Sequence, residues 1–160
     1  MQVYTDASTR KISGLGYIAA NSKNKEIYRN GIIIDQPDNN TAELLAILYA
    51  IDDTQDLLQK NEKVTIMTDS TYAVNAIRNN IYRKEEEPIV KKIQSMMEYS
   101  EYNLFWIKGH CQDGTILSHF NKLADKTSKC VRKQYEKEQE KIKKEKRLRR
   151  IIKSKEGFTY

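Results

Sequence analysis

Three acidic side chains stand where a folded chain seldom leaves a free carboxylate. Asp6 closes the alternating segment Met-Gln-Val-Tyr-Thr-Asp, Asp69 closes the short apolar run Val-Thr-Ile-Met-Thr-Asp, and Glu43 lies in Thr41-Ala-Glu-Leu-Leu-Ala-Ile47, beside an apolar stripe. Each alone reads as a solvated strand end or an ordinary helical glutamate. If the two segments are neighbouring parallel strands, both carboxylates open on one sheet edge, where open α/β sheets place their sites. A helix over that edge aims Glu43 at the same point. Clustered carboxylates repel, and they stay ionised in a low-dielectric site only with a cation among them. Hard oxygen donors suit Mg²⁺ or Mn²⁺, and the 2 His and 2 Cys offer no zinc-ligand spacing. Two such ions roughly 3.5–4 Å apart clamp the attacking and leaving oxygens of an in-line displacement, so the trio fits metal-dependent phosphodiester hydrolysis. Asp125, in Asn121-Lys-Leu-Ala-Asp125, adds a fourth acid, and His110 follows Trp106-Ile-Lys-Gly109 in a loop that the glycine frees to bring an imidazole toward a phosphate. His119 reads as a surface residue.

The elements that must position these groups are legible from periodicity. Residues 1–6 alternate as a strand, a second strand spans about 15–21, and residues 26–34 resume after the polar turn Ser22-Lys-Asn-Lys25, giving an antiparallel meander. Gln36-Pro-Asp-Asn-Asn-Thr41 carries loop and cap chemistry, and Leu44, Leu45, Ile47, Leu48 and Ile51 predict a helix from Thr41 into the fifties. Residues 64–69 form a fourth strand, Ser70 or Thr71 caps a second helix, Pro88 opens a third, residues 103–107 form a fifth strand, and a last helix begins near Asn121. This order calls for an α/β fold: a mixed five-stranded sheet, three antiparallel strands first and parallel additions after, flanked by helices.

Charge divides the chain of 160 residues. Residues 1–125 hold 14 Lys/Arg and 17 Asp/Glu, a net of −3, while residues 126–160 hold 14 and 5, a net of +9. An acidic body thus carries a basic appendage, and the overall +6 is not a property of the domain. From 133 onward the chain is rich in Lys, Glu, Gln and Arg, with apolar positions thinned to Ile142, Leu148, Ile151 and Ile152, and it predicts a long helix extending the last one. Division into a catalytic domain, 1–132, and a basic helical extension, 133–160, follows. No apolar run approaches the ~20 residues of a membrane span and no signal peptide is evident, so a soluble, cytoplasmic protein without membrane contact is expected. Cys111 and Cys130 are expected to be free thiols with no disulfide partner, and a monomer is expected.

Tyr4-Thr-Asp6-Ala-Ser8, Asn39-Asn-Thr-Ala-Glu43, Thr68-Asp69-Ser-Thr71-Tyr72, Trp106-Ile-Lys-Gly-His110 and Asn121-Lys-Leu-Ala-Asp125, in that order, resemble type 1 ribonuclease H over residues 1 to about 130. The resemblance implies that Asp6, Glu43, Asp69 and Asp125 are catalytic metal ligands, with Asp6 shared between two Mg²⁺ ions for which Mn²⁺ can substitute. It implies a proton-transfer or phosphate-release role for His110, and contacts from Asn39, Asn40, Ser8 and Thr71 to an RNA–DNA hybrid. The paired amides suit the ribose 2′-OH, which is both donor and acceptor. The expected activity is hydrolysis of the RNA strand, leaving 5′-phosphate and 3′-hydroxyl ends.

Three departures stand out. Ala7 follows the first aspartate where the family commonly has Gly, His110 and Asp125 are 15 positions apart on a lengthened loop, and Glu85-Glu-Glu87 occupies the place of a basic, Trp-bearing handle found in some bacterial members. Lys146, Arg147, Arg149 and Arg150 on the tail are candidates to grip phosphates in place of that handle. Rival expectations are double-stranded RNA or integrase-type DNA as substrate, and a non-catalytic nucleic-acid-binding or interaction module. The amide pair argues against the first, and the set of four carboxylates against the second.

Overall fold

A computed structural model describes residues 1–58, 62–99, 101–109, 111 and 113–156, with side chains as far as 152. The first three strands are β1 (Gln2–Thr9), β2 (Ser13–Ala20) and β3 (Glu26–Ile34), followed by α1 (Asn39–Thr54), β4 (Val64–Thr68), α2 (Thr71–Asn79), α3 (Glu87–Tyr99), β5 (Tyr102–Trp106) and α4 (Ile116–Glu156). The sheet order is β3-β2-β1-β4-β5. The meander is antiparallel, whereas β4 joins β1 and β5 joins β4 in parallel, with Thr5 beside Thr68 and Thr68 beside Trp106. The C-terminal ends of β1, β4 and β5 therefore share one edge of the sheet.

The period-2 pattern of β1 feeds two cores. Val3 packs with Tyr17, Leu44, Ile47, Ile51, Ile66 and Ile93 under α1–α3, while Tyr4 packs with Ile18, Met67, Ile107, Phe120 and Ala124 under α4. Burying both faces explains why β2 is buried along its whole length. α4 crosses one face at backbone distance, because Gly16 has no side chain: a Cβ there would lie 2.5 Å from both the Ala124 carbonyl oxygen and the Ser128 nitrogen.

The strand and helix expectations hold, with shifts at the ends. β1 continues through Asp6 to Thr9, since residues 6–9 pair with 13–16 of β2. α1 starts at Asn39, where the Asp38 carboxylate caps the Thr41 N–H at 2.9 Å, a contact of about 1 kcal/mol. Ser70 rather than Thr71 caps α2, through the Ala73 N–H. α4 starts at Ile116, five residues before the expected Asn121, where Thr115 and Ser118 exchange side-chain and backbone bonds around the first turn. From there it runs unbroken to Glu156, so a long C-terminal helix is present and position 132 lies inside it. Where Glu85-Glu-Glu87 is expected to stand in place of a handle, a single 3-10 turn, Lys84–Glu86, lies between α2 and α3. Both cysteines are free, and among the described residues no helix is long and apolar enough to cross a membrane.

Candidate active site

Parallel pairing of β1 with β4 sets Asp6 and Asp69 level at the sheet edge, because the register Tyr4–Met67, Thr5–Thr68 carries one step further into them. α1, capped at Asp38, brings Glu43 to the same place. One carboxylate oxygen from each of Asp6, Glu43 and Asp69 lies within 4.8 Å of the others. Asp6 and Glu43 are buried, at 7% and 5% exposure. They line an open cavity of about 470 Å³ together with Ser8, Asn39, Ser70, Gly109, Asp125 and Lys129.

Burial and mutual repulsion disfavour the charged forms of these acids in the absence of a cation. Burial first, then repulsion from Asp125 and Asp69, raises the Asp6 pKa from its ordinary 3.8 to about 7, against the lowering bond from Ser128. Burial likewise pushes Glu43 well above the carboxylate range, helped by Asp6 and Asp69 and opposed by the backbone N–H of Ala7. Among the described residues Glu43 Oε2 is buried with no hydrogen-bond partner, an atom that a bound ion would satisfy. Three oxygen donors with an orphaned lone pair fit a hard divalent cation.

Neighbours hold each acid in place. Ser128 Oγ donates to Asp6 Oδ2 at 2.5 Å, and Asn121 Nδ2 donates to Asp69 Oδ2 at 3.1 Å. Gly109 leaves room for Asp69, since a Cβ there would sit 2.5 Å from Asp69 Oδ2. Asp125 is half-buried on α4 and pairs with Lys129 Nζ at 2.6 Å, one helical turn on. Asp125 thus lines the cavity without belonging to the tight trio.

Of the residues expected to meet substrate, Asn39 and Ser8 line the cavity, although the Ser8 hydroxyl already accepts from Arg132 Nε at 3.0 Å. Asn40 is half-buried beside Asn39, and Thr71 is exposed at the start of α2, with neighbouring Ser70 in the lining instead. His110 lies outside the described residues. Lys146, Arg147, Arg149 and Arg150 are exposed on the distal part of α4.

Ser128 and Lys129 escaped sequence reasoning, yet their spacing from Asp125, three and four positions, is the helical signal that puts them on its face. Gly16 and Ser128 show why α4 must lie where it does, and no local pattern announces a close approach between elements so far apart in sequence.

The RNase H family profile matches residues 1–133. This chain belongs to the RNase H family. A probable ribonuclease H of Acanthamoeba polyphaga mimivirus is 38% identical over 101 residues, covering 54% of this chain and 44% of that protein, so the chain spans less than half the length of that curated relative. Among solved structures, RNase H1 from the halophilic archaeon Halobacterium salinarum NRC-1 superposes with a TM-score of 0.67 at 13% identity, over 80% of this chain and 93% of that one. LC11-RNase H1, solved in complex with an RNA/DNA hybrid, gives 0.66 at 16% identity over 81% and 97%. The fold of this chain is thereby shared with both, and the element order expected from its sequence is the one found.

Proposed function

We propose that this protein is an endonuclease that hydrolyses the RNA strand of RNA–DNA hybrids. The observation that carries the reading is the convergence of Asp6, Glu43 and Asp69 within 4.8 Å at the edge of an RNase H sheet. Asp6, Glu43, Asp69 and Asp125 would hold two Mg²⁺ ions, with Mn²⁺ as a substitute. Such ions, when bound, would supply Lewis acidity and a template for the attacking and leaving oxygens. Ser128 and Asn121 keep Asp6 and Asp69 aimed into the cavity. Water attacks phosphorus, the bond from phosphorus to the 3′ oxygen breaks, and the fragments carry 5′-phosphate and 3′-hydroxyl ends. His110 serves proton transfer or product release. Asn39 and Asn40, with Ser8 and Thr71 nearby, contact the hybrid, and the amides read the ribose 2′-OH.

Residues 1–132 form the catalytic domain and 133–160 a phosphate-gripping extension. What supports the second role is where α4 points. Phe120 stacks on Tyr4 with ring centroids 5.1 Å apart, Ser128 reaches Asp6 and Arg132 reaches Ser8, so α4 advances with β1 toward the catalytic edge and continues past it. From Arg132 to the end of α4 the helix extends for ~35 Å at 1.5 Å per residue. In this reading the exposed Lys146, Arg147, Arg149 and Arg150 on that extension contact phosphates of a bound duplex. The protein acts as a monomer in the cytoplasm.

A panel of labelled duplexes tests the reading. Incubation with an RNA–DNA hybrid, duplex RNA and duplex DNA in Mg²⁺ is expected to cut only the RNA of the hybrid, yielding fragments whose 5′ ends phosphatase treatment alters. Equal cutting of duplex RNA, or no cutting of any duplex, refutes it.

A further inference from the structure

The 3-10 turn between α2 and α3 holds a buried charge. Glu86, on that turn, is fully buried. It accepts from the Tyr72 hydroxyl, from Thr41 Oγ1 at 2.8 Å, from the Arg83 backbone N–H at 3.0 Å and from Arg83 Nη2 at 2.6 Å. Burial opposes its charge, but these donors outweigh burial and hold its pKa at about 2. Arg83 does not stop at Glu86: Nη2 also donates to Asp38 Oδ1 at 2.7 Å and to Thr41 Oγ1 at 2.8 Å, and Nη1 to Asp38 Oδ2 at 3.2 Å. The fork is spent on protein acceptors and is not free for a phosphate.

The two residues gripped by Arg83 at the start of α1, the cap Asp38 and Thr41, flank Asn39 and Asn40. A planar guanidinium with fixed donor directions sets the distance between its acceptors, which a lysine ammonium cannot do. Among the described residues Glu43 is neither an acceptor of Arg83 nor a partner of Glu86. The grip of Arg83 therefore bears on the start of α1 and not on the Glu43 carboxylate itself.

We propose that Arg83 and Glu86 are positioning residues for recognition of the RNA strand, holding the Asn39–Asn40 amides by gripping α1 on either side of them. The proposal rests on the hybrid-nuclease reading and adds to it a specificity device distinct from the catalytic acids. Loosening the grip leaves the acids in place and costs discrimination between ribose and deoxyribose.

The test uses the full chain carrying Asp69→Asn, which blocks cleavage, in Mg²⁺. Affinities for a fluorescent hybrid and for a DNA duplex of the same sequence are measured by anisotropy, alone and with Arg83→Lys or Glu86→Gln added. Both additions are expected to reduce the preference for hybrid about fivefold or more while changing DNA-duplex affinity less than twofold. In the active protein Arg83→Lys is expected to raise KM for hybrid more than it lowers kcat, whereas a loss of folded protein alone would lower apparent kcat and leave KM unchanged. Thermal melts identify any unfolding of Glu86→Gln, and Arg83→Lys, a change at a half-exposed side chain that keeps its charge, carries the test in that event. A preference for hybrid that survives Arg83→Lys unchanged overturns the clamp alone. An Asp69→Asn protein that binds both duplexes equally overturns the hybrid reading, and the clamp with it.

Discussion

Replacing Asp6 by asparagine should make the metal-free protein more stable while abolishing its activity. The folded pKa of Asp6 is about 7 against an ordinary 3.8, a rise of roughly 3 units, and each unit is worth about 1.36 kcal/mol. Well above pH 7 an ionised Asp6 thus opposes folding by at most ~4 kcal/mol, chiefly through its burial and further through repulsion from Asp125 and Asp69, and because asparagine is itself a polar group buried at the same place, removing the charge relieves about half of it. Asparagine keeps an acceptor for Ser128, so little packing is lost. The expected gain is about 2 kcal/mol at pH 8 in chelator, or about 4–8 °C in Tm for a chain of this size. The sign follows from linkage: with the folded pKa above the unfolded one, the native state binds the extra proton between those values, so metal-free wild type gains stability as pH falls from 8 toward 5. That gain should shrink in Asp6→Asn. Mg²⁺ should reverse the order, stabilising wild type by binding the native state and leaving the variant almost unmoved. Thermal melts followed by circular dichroism, with chelator and with Mg²⁺, measure all of this. An Asp6→Asn protein that melts at or below wild type in chelator at pH 8 would refute the electrostatic account of the site.

Other consequences follow from separate parts of the molecule. Gly16→Ala should push α4 off the sheet, since its Cβ would meet backbone atoms at 2.5 Å, costing about 1–3 kcal/mol in urea unfolding and lowering cleavage at saturating Mg²⁺ through displaced Asp125 and Ser128; wild-type values for both would contradict the packing described. Truncation after residue 135 should weaken hybrid binding and flatten its salt dependence, the slope falling by about 0.9 for each phosphate no longer neutralised, while Mg²⁺ still raises Tm; an unchanged slope would remove the tail from the interface. Glu86 has its folded pKa lowered to about 2 from 4.5, so its contribution is present above pH 4.5 and lost as pH falls toward 2. Acid titration of Glu86→Gln, followed by tryptophan fluorescence, should therefore show a flatter loss of stability across that window than wild type.

Much of this architecture is legible in the sequence because its determinants are local. Alternation in residues 1–6 and the apolar run of 64–68 mark strands, and Asp38 and Ser70 are cap residues placed before apolar stripes. The carboxylates stand out for the same reason, as acids among apolar neighbours. What stays hidden depends on approaches between distant segments. Glu86 looks like one of three exposed acids in Glu85-Glu-Glu87, yet it is the buried one, because Thr41 and Tyr72 approach it from two helices. Ser128 carries no mark of its bond to Asp6, 122 positions away. The start of α4 lies earlier than expected for a local reason that propensity understates, the side-chain and backbone bonds that Thr115 and Ser118 form around its first turn.

In the proposed function, the Asp6–Glu43–Asp69 cluster cuts RNA in a hybrid only with a divalent cation bound. Single-turnover cleavage of an RNA-labelled hybrid by wild type and by Asp69→Asn, across a Mg²⁺ titration from chelator upward, tests it most directly. Wild type should show a rate that rises with Mg²⁺ from none in chelator and saturates, and Asp69→Asn a rate at least 100-fold lower at every concentration. Cleavage by wild type in chelator, or an Asp69→Asn rate within a few-fold of wild type, would contradict it.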